Sequence, residues 1–96
     1  MELRDYIESG LTVAKTGRAL AHELGIGANE LTDAKAHRRG LPNHACVKLA
    51  KMINEDALMI IAASELATEK KEEKRNFWSH LLASAPSHSY IRQMMN

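Results

Sequence analysis

An all-α fold of six short helices is predicted by three features of the sequence. Apolar residues make up 45% of the 96 residues but aromatic residues only 4%. The core must therefore consist mainly of Leu, Ile, Ala, Met and Val, a mixture that favours helix over strand. Apolar residues recur at three- and four-residue spacing along most of the chain, and no segment alternates convincingly as a strand would. The length suits one compact domain.

The composition also indicates in which cellular compartment the protein is expected and which classes of protein are excluded. The chain has one cysteine, Cys46, which excludes an intrachain disulfide framework and suits a reducing compartment. No apolar run approaches the roughly 20 residues that a membrane span needs. The acidic start, MELRDYIESG, lacks the basic and apolar regions of a signal peptide. We expect a cytoplasmic protein that does not engage a membrane.

The net charge of +1 is unevenly distributed along the chain. Residues 15–51 carry seven basic and three acidic side chains, a net +4, whereas residues 1–14 carry a net −2 and the remainder a net −1. The middle third is therefore the region where a positive surface for a phosphate backbone is expected.

The first three helices are predicted over residues 2–14, 18–24 and 28–36. Gly10 weakens the first of them by about 1 kcal/mol relative to alanine. Gly25 follows the second, where helices often end in a left-handed residue. The residues expected to face the core are Leu3, Ile7, Leu11 and Ala14 in the first helix, Leu20, Ala21 and Leu24 in the second, and Leu31 and Ala34 in the third.

A fourth helix is predicted over residues 43–53, after Pro42, which the first turn of a helix tolerates. Asn54 is a good N-cap for a fifth helix, with Glu55 and Asp56 in its first turn, where acidic residues are favoured. The fifth helix contains LMIIAASEL, which is apolar on more than one face. We therefore expect it to be the most buried element.

The charged segment that follows the fifth helix predicts a break near residues 70–73. Like-charged pairs four residues apart, such as Glu69 with Glu73, destabilise a helix. A last amphipathic helix then presents an apolar stripe that serves either intrachain packing or dimerisation. That stripe consists of Phe77, Trp78, Leu81 and Leu82. Residues 85–96 are expected to form a mobile tail.

The segment GRALAHELGIGANELTDAKAHRRG, residues 17–40, carries the pattern most informative about function. Two short helices are separated by a tight turn that contains glycine, and the second helix begins with small and polar residues. This arrangement is typical of a helix-turn-helix, whose second helix enters the major groove of DNA. Ala21 is expected to be small because the two helices cross closely there, and Gly25 allows the chain to reverse.

This segment resembles the helix-turn-helix of the lambda-repressor and Cro family. The likeness covers about residues 15–61. It rests on the pairs Leu20-Ala21 and Leu24-Gly25, on the basic residues, glycine and proline of residues 38–42 that follow the second helix of the motif, and on the segment LPNHACVKLAKMINEDALMII. It implies a five-helix DNA-binding domain over residues 1–68, with an additional helix over residues 69–84. A narrower likeness, carried by LP-x-x-AC-x-x-LA, IAA-x-x-LA and FW-x-x-LL, resembles short proteins of filamentous phages and prophages.

The resemblance implies a homodimeric repressor of a double-stranded DNA operator, acting without a cofactor in a bacterial cytoplasm, at the nucleoid. A phage or host regulatory protein is a further partner that it implies. The base-contacting positions would be Ala28, Asn29, Thr32 and Asp33, where Asn29 pairs with adenine and Asp33 accepts from cytosine. The phosphate-contacting positions would be Gly17, Arg18, Lys35, Arg38 and Arg39.

Two acidic residues depart from the pattern of that family. Glu30 and Asp33 stand on the helix expected to face the groove, where carboxylates repel phosphate. Either they meet base donors, or they pair with Arg38 and Arg39. Those two arginines have a simpler interpretation as a solvated helix end.

Other functional classes find less support in the sequence. A helical protein-binding module, such as an antitoxin or an antirepressor partner, shares similar helices and stays the alternative. His37, His44 and Cys46 lack the paired spacing of zinc ligands. No catalytic set of residues stands at a recognisable spacing, so we do not expect an enzyme.

Overall fold

Six α-helices make up the part of the protein that the computed structural model describes, residues 1–84. The helices are α1 (Leu3–Ala14), α2 (Gly17–Leu24), α3 (Ala28–Lys35), α4 (Asn43–Ile53), α5 (Ala57–Thr68) and α6 (Glu72–Ser84). No strand occurs among these residues, which confirms the all-α prediction. The expected tail over residues 85–96 lies outside the described residues. None of the described helices is long and apolar enough to cross a membrane.

The helix boundaries agree with the sequence prediction to within one residue for α1 to α4. The start of α2 is moved to Gly17 because Thr16 caps it. The Thr16 hydroxyl oxygen accepts a hydrogen bond from the backbone N–H of Ala19 at 3.1 Å. A threonine in this position satisfies one of the N–H groups that a helix start leaves without a partner.

The prediction for the junction between α4 and α5 was wrong about the cap. Asn54 ends α4 in the left-handed conformation (φ 57°, ψ 49°), and the N–H of Glu55 reaches back to the carbonyl oxygen of Ala50 at 2.9 Å. Asp56 caps α5 instead, since its carboxylate accepts from the N–H of Leu58 at 2.9 Å. Asparagine suits both roles because it tolerates the left-handed region as well as an N-cap position.

The core is formed by one face of each of the helices α1 to α5. Its fully buried large side chains are Leu3, Ile7, Leu20, Leu24, Cys46, Leu49 and Ile60. Gly10 is buried too, and a Cβ added there would stand 2.7 Å from a methyl carbon of Leu49. Gly10 therefore weakens α1 locally but allows α1 to lie close to α4.

The expectation that α5 is the most buried helix agrees with its exposure, since only Leu58, Glu65 and Thr68 of its twelve residues are exposed, whereas five of the eleven residues of α4 are exposed. The buried residues of α5 are Ile60, Ala62, Ala63 and Ser64. Leu58 is 47% exposed. α5 is apolar all round because one side faces the core while α6 packs along another.

The predicted break between the last two helices is confirmed, since α5 ends at Thr68 and α6 begins at Glu72. Arg75 bridges the junction. Its guanidinium donates to the carbonyl oxygens of Leu66 at 3.0 Å and of Glu69 at 2.8 Å. This arginine satisfies carbonyl groups that the end of α5 would otherwise leave without a partner.

Candidate nucleic-acid interface

The pair formed by α2 and α3 is joined by a turn that the chain encodes locally. Gly25 has φ 72°, its N–H donates to the carbonyl of His22 at 3.1 Å, and the N–H of Ile26 donates to that of Ala21 at 3.0 Å. These two bonds form a Schellman motif, which favours glycine at its left-handed position. Ala21 is 3% exposed, as expected for a residue between two closely packed helices.

α3 has one side in the core and the other in solvent. Leu31 and Ala34 are buried, whereas Ala28, Asn29 and Thr32 are exposed. The Thr32 hydroxyl donates to the carbonyl oxygen of Ala28 at 3.0 Å, and the side chain of Asn29 has no hydrogen-bond partner among residues 1–84. Three of the four predicted base-contacting positions therefore lie together on an accessible face.

α3 ends in a second Schellman motif whose left-handed residue is His37 (φ 61°). The N–H of His37 donates to the carbonyl of Ala34 at 3.0 Å, and that of Arg38 donates to the carbonyl of Asp33 at 2.8 Å. A residue with a Cβ is strained in this conformation. The strain is offset by tertiary contact, because the Nε2 atom of His37 accepts from the backbone N–H of Arg4 at 3.3 Å.

Arg4 also reaches the end of α3 with its side chain. Its Nε donates to the carbonyl oxygen of Lys35 at 3.3 Å. The start of α1 and the end of α3 thus satisfy backbone groups of each other, through residues more than thirty positions apart in the chain. Lys35 itself is half-buried.

The loop after α3 is fastened to α5 by a buried serine. The Ser64 hydroxyl accepts from the N–H of Leu41 at 2.7 Å and lies 3.2 Å from the carbonyl oxygen of Leu41, to which it donates. Gly40 allows this approach, since a Cβ there would stand 2.6 Å from the Ser64 hydroxyl oxygen. Sequence reasoning missed Ser64, although a serine inside an apolar helical run is a signal of a polar contact in the core.

Two side-chain ion pairs are found among residues 1–84, and both join α3 to the basic loop after it. Arg38 approaches the Oδ1 atom of Asp33 through Nε at 2.9 Å and through its terminal nitrogen at 2.8 Å. Arg39 lies 3.6 Å from Oε2 of Glu30. Of the two alternatives left open for the acidic residues, pairing within the protein is the one that the structure adopts.

The other predicted phosphate-contacting residues stand at the start of α2. Gly17 and Arg18 are exposed and occupy its first two positions. Backbone N–H groups in the first turn have no acceptor within the helix, and the helix dipole is positive there. Both features favour an anion.

Two side chains of α4 lie beside the turn between α2 and α3. The Lys48 ammonium nitrogen and the Nε2 atom of His44, both on α4, stand 3.5 Å and 3.7 Å from the place a Cβ of residue 25 would occupy. Sequence reasoning did not connect these residues with the turn, because their proximity depends on how α4 packs against α2.

The apolar stripe of α6 is divided between packing and exposure. Phe77 is 62% exposed, whereas Trp78, Leu81 and Leu82 are half-buried on a helix that packs against α5. The rings of Phe77 and Trp78 meet edge to face with centroids 4.9 Å apart. No residue of α6 between 72 and 83 is fully buried, so the stripe keeps an apolar surface open.

In the part of the chain that the structure describes, Cys46 and the histidines form no cluster of metal ligands. Among residues 1–84, no group of three His, Cys, Asp or Glu side chains is placed to hold an ion. Cys46 is fully buried, and burial raises the pKa of its thiol to about 11. The thiol is therefore neutral and behaves as a small apolar side chain.

Comparison of the chain with protein-family models, with curated proteins and with solved structures gives no match.

Proposed function

We propose that the chain is a sequence-specific regulator that binds double-stranded DNA by placing α3 in the major groove. The observation that carries the proposal is the two-sided character of α3, with Leu31 and Ala34 buried and Ala28, Asn29 and Thr32 exposed. A helix held in the core along one side has a fixed orientation, and its polar outer side is able to read base edges. α2 and α3 then act as a helix-turn-helix of the lambda-repressor type.

The exposed residues of α3 have distinct roles in this proposal. Asn29, whose amide has no partner among residues 1–84, pairs bidentately with an adenine. Thr32 donates its hydroxyl hydrogen to Ala28, so its methyl group is left to contact the methyl group of a thymine. Ala28 provides a small surface that permits close approach. Direct reading of bases is thereby concentrated on Asn29 and Thr32.

In this proposal, contacts with the phosphate backbone come from residues that precede α3 in the sequence and from residues at its end and after it. Gly17 and Arg18 offer backbone N–H groups and a guanidinium at the start of α2. Lys35 ends α3, and Arg38 and Arg39 follow it in the loop, where each must leave its carboxylate partner to contact a phosphate. Such contacts fix the register of a protein on the duplex but carry no sequence information.

We further propose that the protein is a phage or prophage repressor that acts by occluding an operator as a homodimer. Half-sites would lie about one helical turn apart. The exposed Phe77 with its half-buried neighbours supports α6 as the dimer contact.

Sedimentation equilibrium of the intact chain tests this dimer contact. The variant Phe77→Glu should shift the mass from dimer to monomer, and an unchanged mass removes Phe77 from the interface.

Selection of bound sequences from random duplexes tests DNA binding. After selection, Asn29→Ala should lower the discrimination against a substituted base by about 1–3 kcal/mol. Arg18→Ala should weaken binding to every sequence and reduce the salt dependence of log K by about 1. Asn76→Ala on α6, also an exposed asparagine, serves as the control and should change neither quantity.

A helical protein-binding module is the second candidate, favoured by one observation. Both acidic residues of α3 are paired with the arginines that follow it, which lowers the positive potential of this surface. If the wild-type chain retards no duplex at low salt, DNA binding is excluded and the protein-binding function takes its place.

A further inference from the structure

We propose that Glu30 and Asp33 set the DNA specificity of this surface by restraining Arg38 and Arg39, and that neither acid reads a base. This inference rests on the proposed function. It assigns the two carboxylates a positioning role, in contrast to the base-contacting role that the sequence suggested for Asp33.

Asp33 and Arg38 form a well-aligned pair on the surface. Three contacts join the two residues: the backbone N–H of Arg38 to the carbonyl of Asp33 at 2.8 Å, and two guanidinium nitrogens within 2.9 Å of the same carboxylate oxygen. The backbone bond belongs to the end of α3 and sets the place from which the side chain reaches back. Arg38 is thus held against the helix and is not extended toward a distant phosphate.

Glu30 is restrained through both oxygens of its carboxylate. Its Oε1 atom accepts from the N–H of Gly27 at 3.2 Å, at the start of α3, while its Oε2 atom lies 3.6 Å from Arg39. Because the carboxylate is anchored at the helix start, it cannot follow Arg39 to a phosphate. Contact of Arg39 with DNA therefore requires the pair to separate.

The net charge of α3 and the loop after it explains why the two carboxylate–arginine pairs affect DNA specificity. Residues 28–39 carry three basic and two acidic side chains, a net +1 with histidine neutral. Non-specific DNA affinity comes almost wholly from neutralised phosphates, whereas specific binding adds base contacts. Carboxylates that occupy two arginines therefore weaken binding to random DNA relatively more than binding to the selected site.

The pairs are exposed enough to exchange with phosphate. The side chains of Arg38 and Asp33 are 61% and 38% exposed, and those of Arg39 and Glu30 are 50% and 36% exposed. Exposed ion pairs contribute little to folding. Asp33→Asn and Glu30→Gln preserve the size of each side chain but remove its charge, and each replaces one carboxylate oxygen with an NH2 group. Both positions are on the surface, so both variants should fold.

The test compares binding of fluorescent duplexes, one of random sequence and one selected for binding, from 50 to 200 mM salt. Asp33→Asn should bind the random duplex on the order of fivefold more tightly at the lowest salt, with a salt slope steeper by about 1. Affinity for the selected duplex should rise less, so the ratio of the two affinities falls. Glu30→Gln should act in the same direction.

Two control variants separate release of an arginine from a general change of charge. Glu8→Gln, on an exposed position of α1, makes the same change of net charge and should leave the ratio unaltered. Arg38→Ala added to Asp33→Asn should abolish the gain on the random duplex, because no freed guanidinium remains.

The outcomes distinguish this inference from the proposed function. Loss of affinity for the selected duplex alone in Asp33→Asn means that Asp33 reads a base, and the inference is wrong. Equal behaviour of Asp33→Asn and Glu8→Gln also overturns it while leaving DNA binding intact. A wild-type chain that binds neither duplex overturns the proposed function and this inference together.

Discussion

The two chain reversals that flank α3 have the same hydrogen-bond pattern but different sources of stability. The first, at Gly25, uses a glycine that adopts the left-handed conformation without strain. The second, at His37, places a bulky residue in that conformation and offsets the strain by accepting from Arg4. The first reversal needs nothing beyond its own residues, whereas the second depends on a distant helix.

The difference extends into the loop that follows His37. Leu41 is bound to Ser64 of α5 through both its N–H and its carbonyl group, and Gly40 lies against the same serine. The segment that carries Arg38 and Arg39 is therefore held at its start by α1 and at its end by α5. A surface that depends on several helices keeps its shape only while the whole core is folded, which suits a region that must present charges in a fixed arrangement.

Gly40→Ala should be the most damaging change in this region. The new Cβ would stand 2.6 Å from the hydroxyl oxygen and 3.0 Å from the backbone oxygen of Ser64, so the loop must move away from α5. We expect the free energy of unfolding to fall by about 2–3 kcal/mol, measured by urea denaturation. Gly17→Ala, which meets nothing within 4 Å, is the control. A fully stable Gly40→Ala variant would mean that the loop does not lie this close to α5.

Ser64→Ala should lower the free energy of unfolding by about 2 kcal/mol, because the buried N–H of Leu41 loses its partner. Ser9→Ala, whose hydroxyl donates to the carbonyl of Asp5 on an exposed part of α1, should change the free energy of unfolding by less than about 0.5 kcal/mol.

Alkylation of Cys46 at pH 8 gives a second measurement of the Ser64→Ala variant. Its Sγ lies 3.8 Å from the carbonyl oxygen of Leu41, and its pKa of about 11 makes the folded thiol unreactive. Faster alkylation in Ser64→Ala than in wild type is expected, and an equal rate would contradict this anchor.

Gly25→Ala should destabilise the protein by about 1–2 kcal/mol, because a Cβ is disfavoured at φ 72°. A steric clash is not the cause, since the atom nearest to the new Cβ would be the Lys48 ammonium nitrogen at 3.5 Å, an ordinary contact distance. Thermal unfolding monitored by circular dichroism measures the effect, again against Gly17→Ala. An unchanged midpoint would show that the first reversal is less dependent on glycine than its backbone angles indicate.

His37→Gly should have the smallest effect on stability. The substitution relieves the left-handed strain but removes the acceptor for the N–H of Arg4, and each contribution is about 1 kcal/mol. The free energy of unfolding should therefore stay within about 0.5 kcal/mol of the wild-type value. His37→Ala keeps the strain and loses the hydrogen bond, so it should be about 1 kcal/mol less stable than His37→Gly. Equal stability of the two variants would mean that the position is not strained.

Local patterns in the chain were sufficient to predict the helices, the reversal at Gly25 and the break before α6. Helix periodicity, a left-handed glycine and like-charged neighbours act over three to six residues, and no other part of the molecule is needed to interpret them. The exposed face of α3 followed in the same way, because Leu31 and Ala34 mark its inner side. The error at Asn54 arose because one residue type serves two cap positions, and local sequence does not separate them.

Packing between distant segments was needed for the rest. Arg4 and His37 are 33 residues apart, and Leu41 and Ser64 are 23 residues apart, so their hydrogen bonds exist only once the helices have assembled. The division of α6 between burial and exposure depends on assembly too. The choice made by Glu30 and Asp33 between pairing and pointing outward depends on where the end of α3 holds Arg38 and Arg39. Composition and spacing therefore specify which helices form, whereas the neighbours that each polar side chain meets are set by how those helices pack.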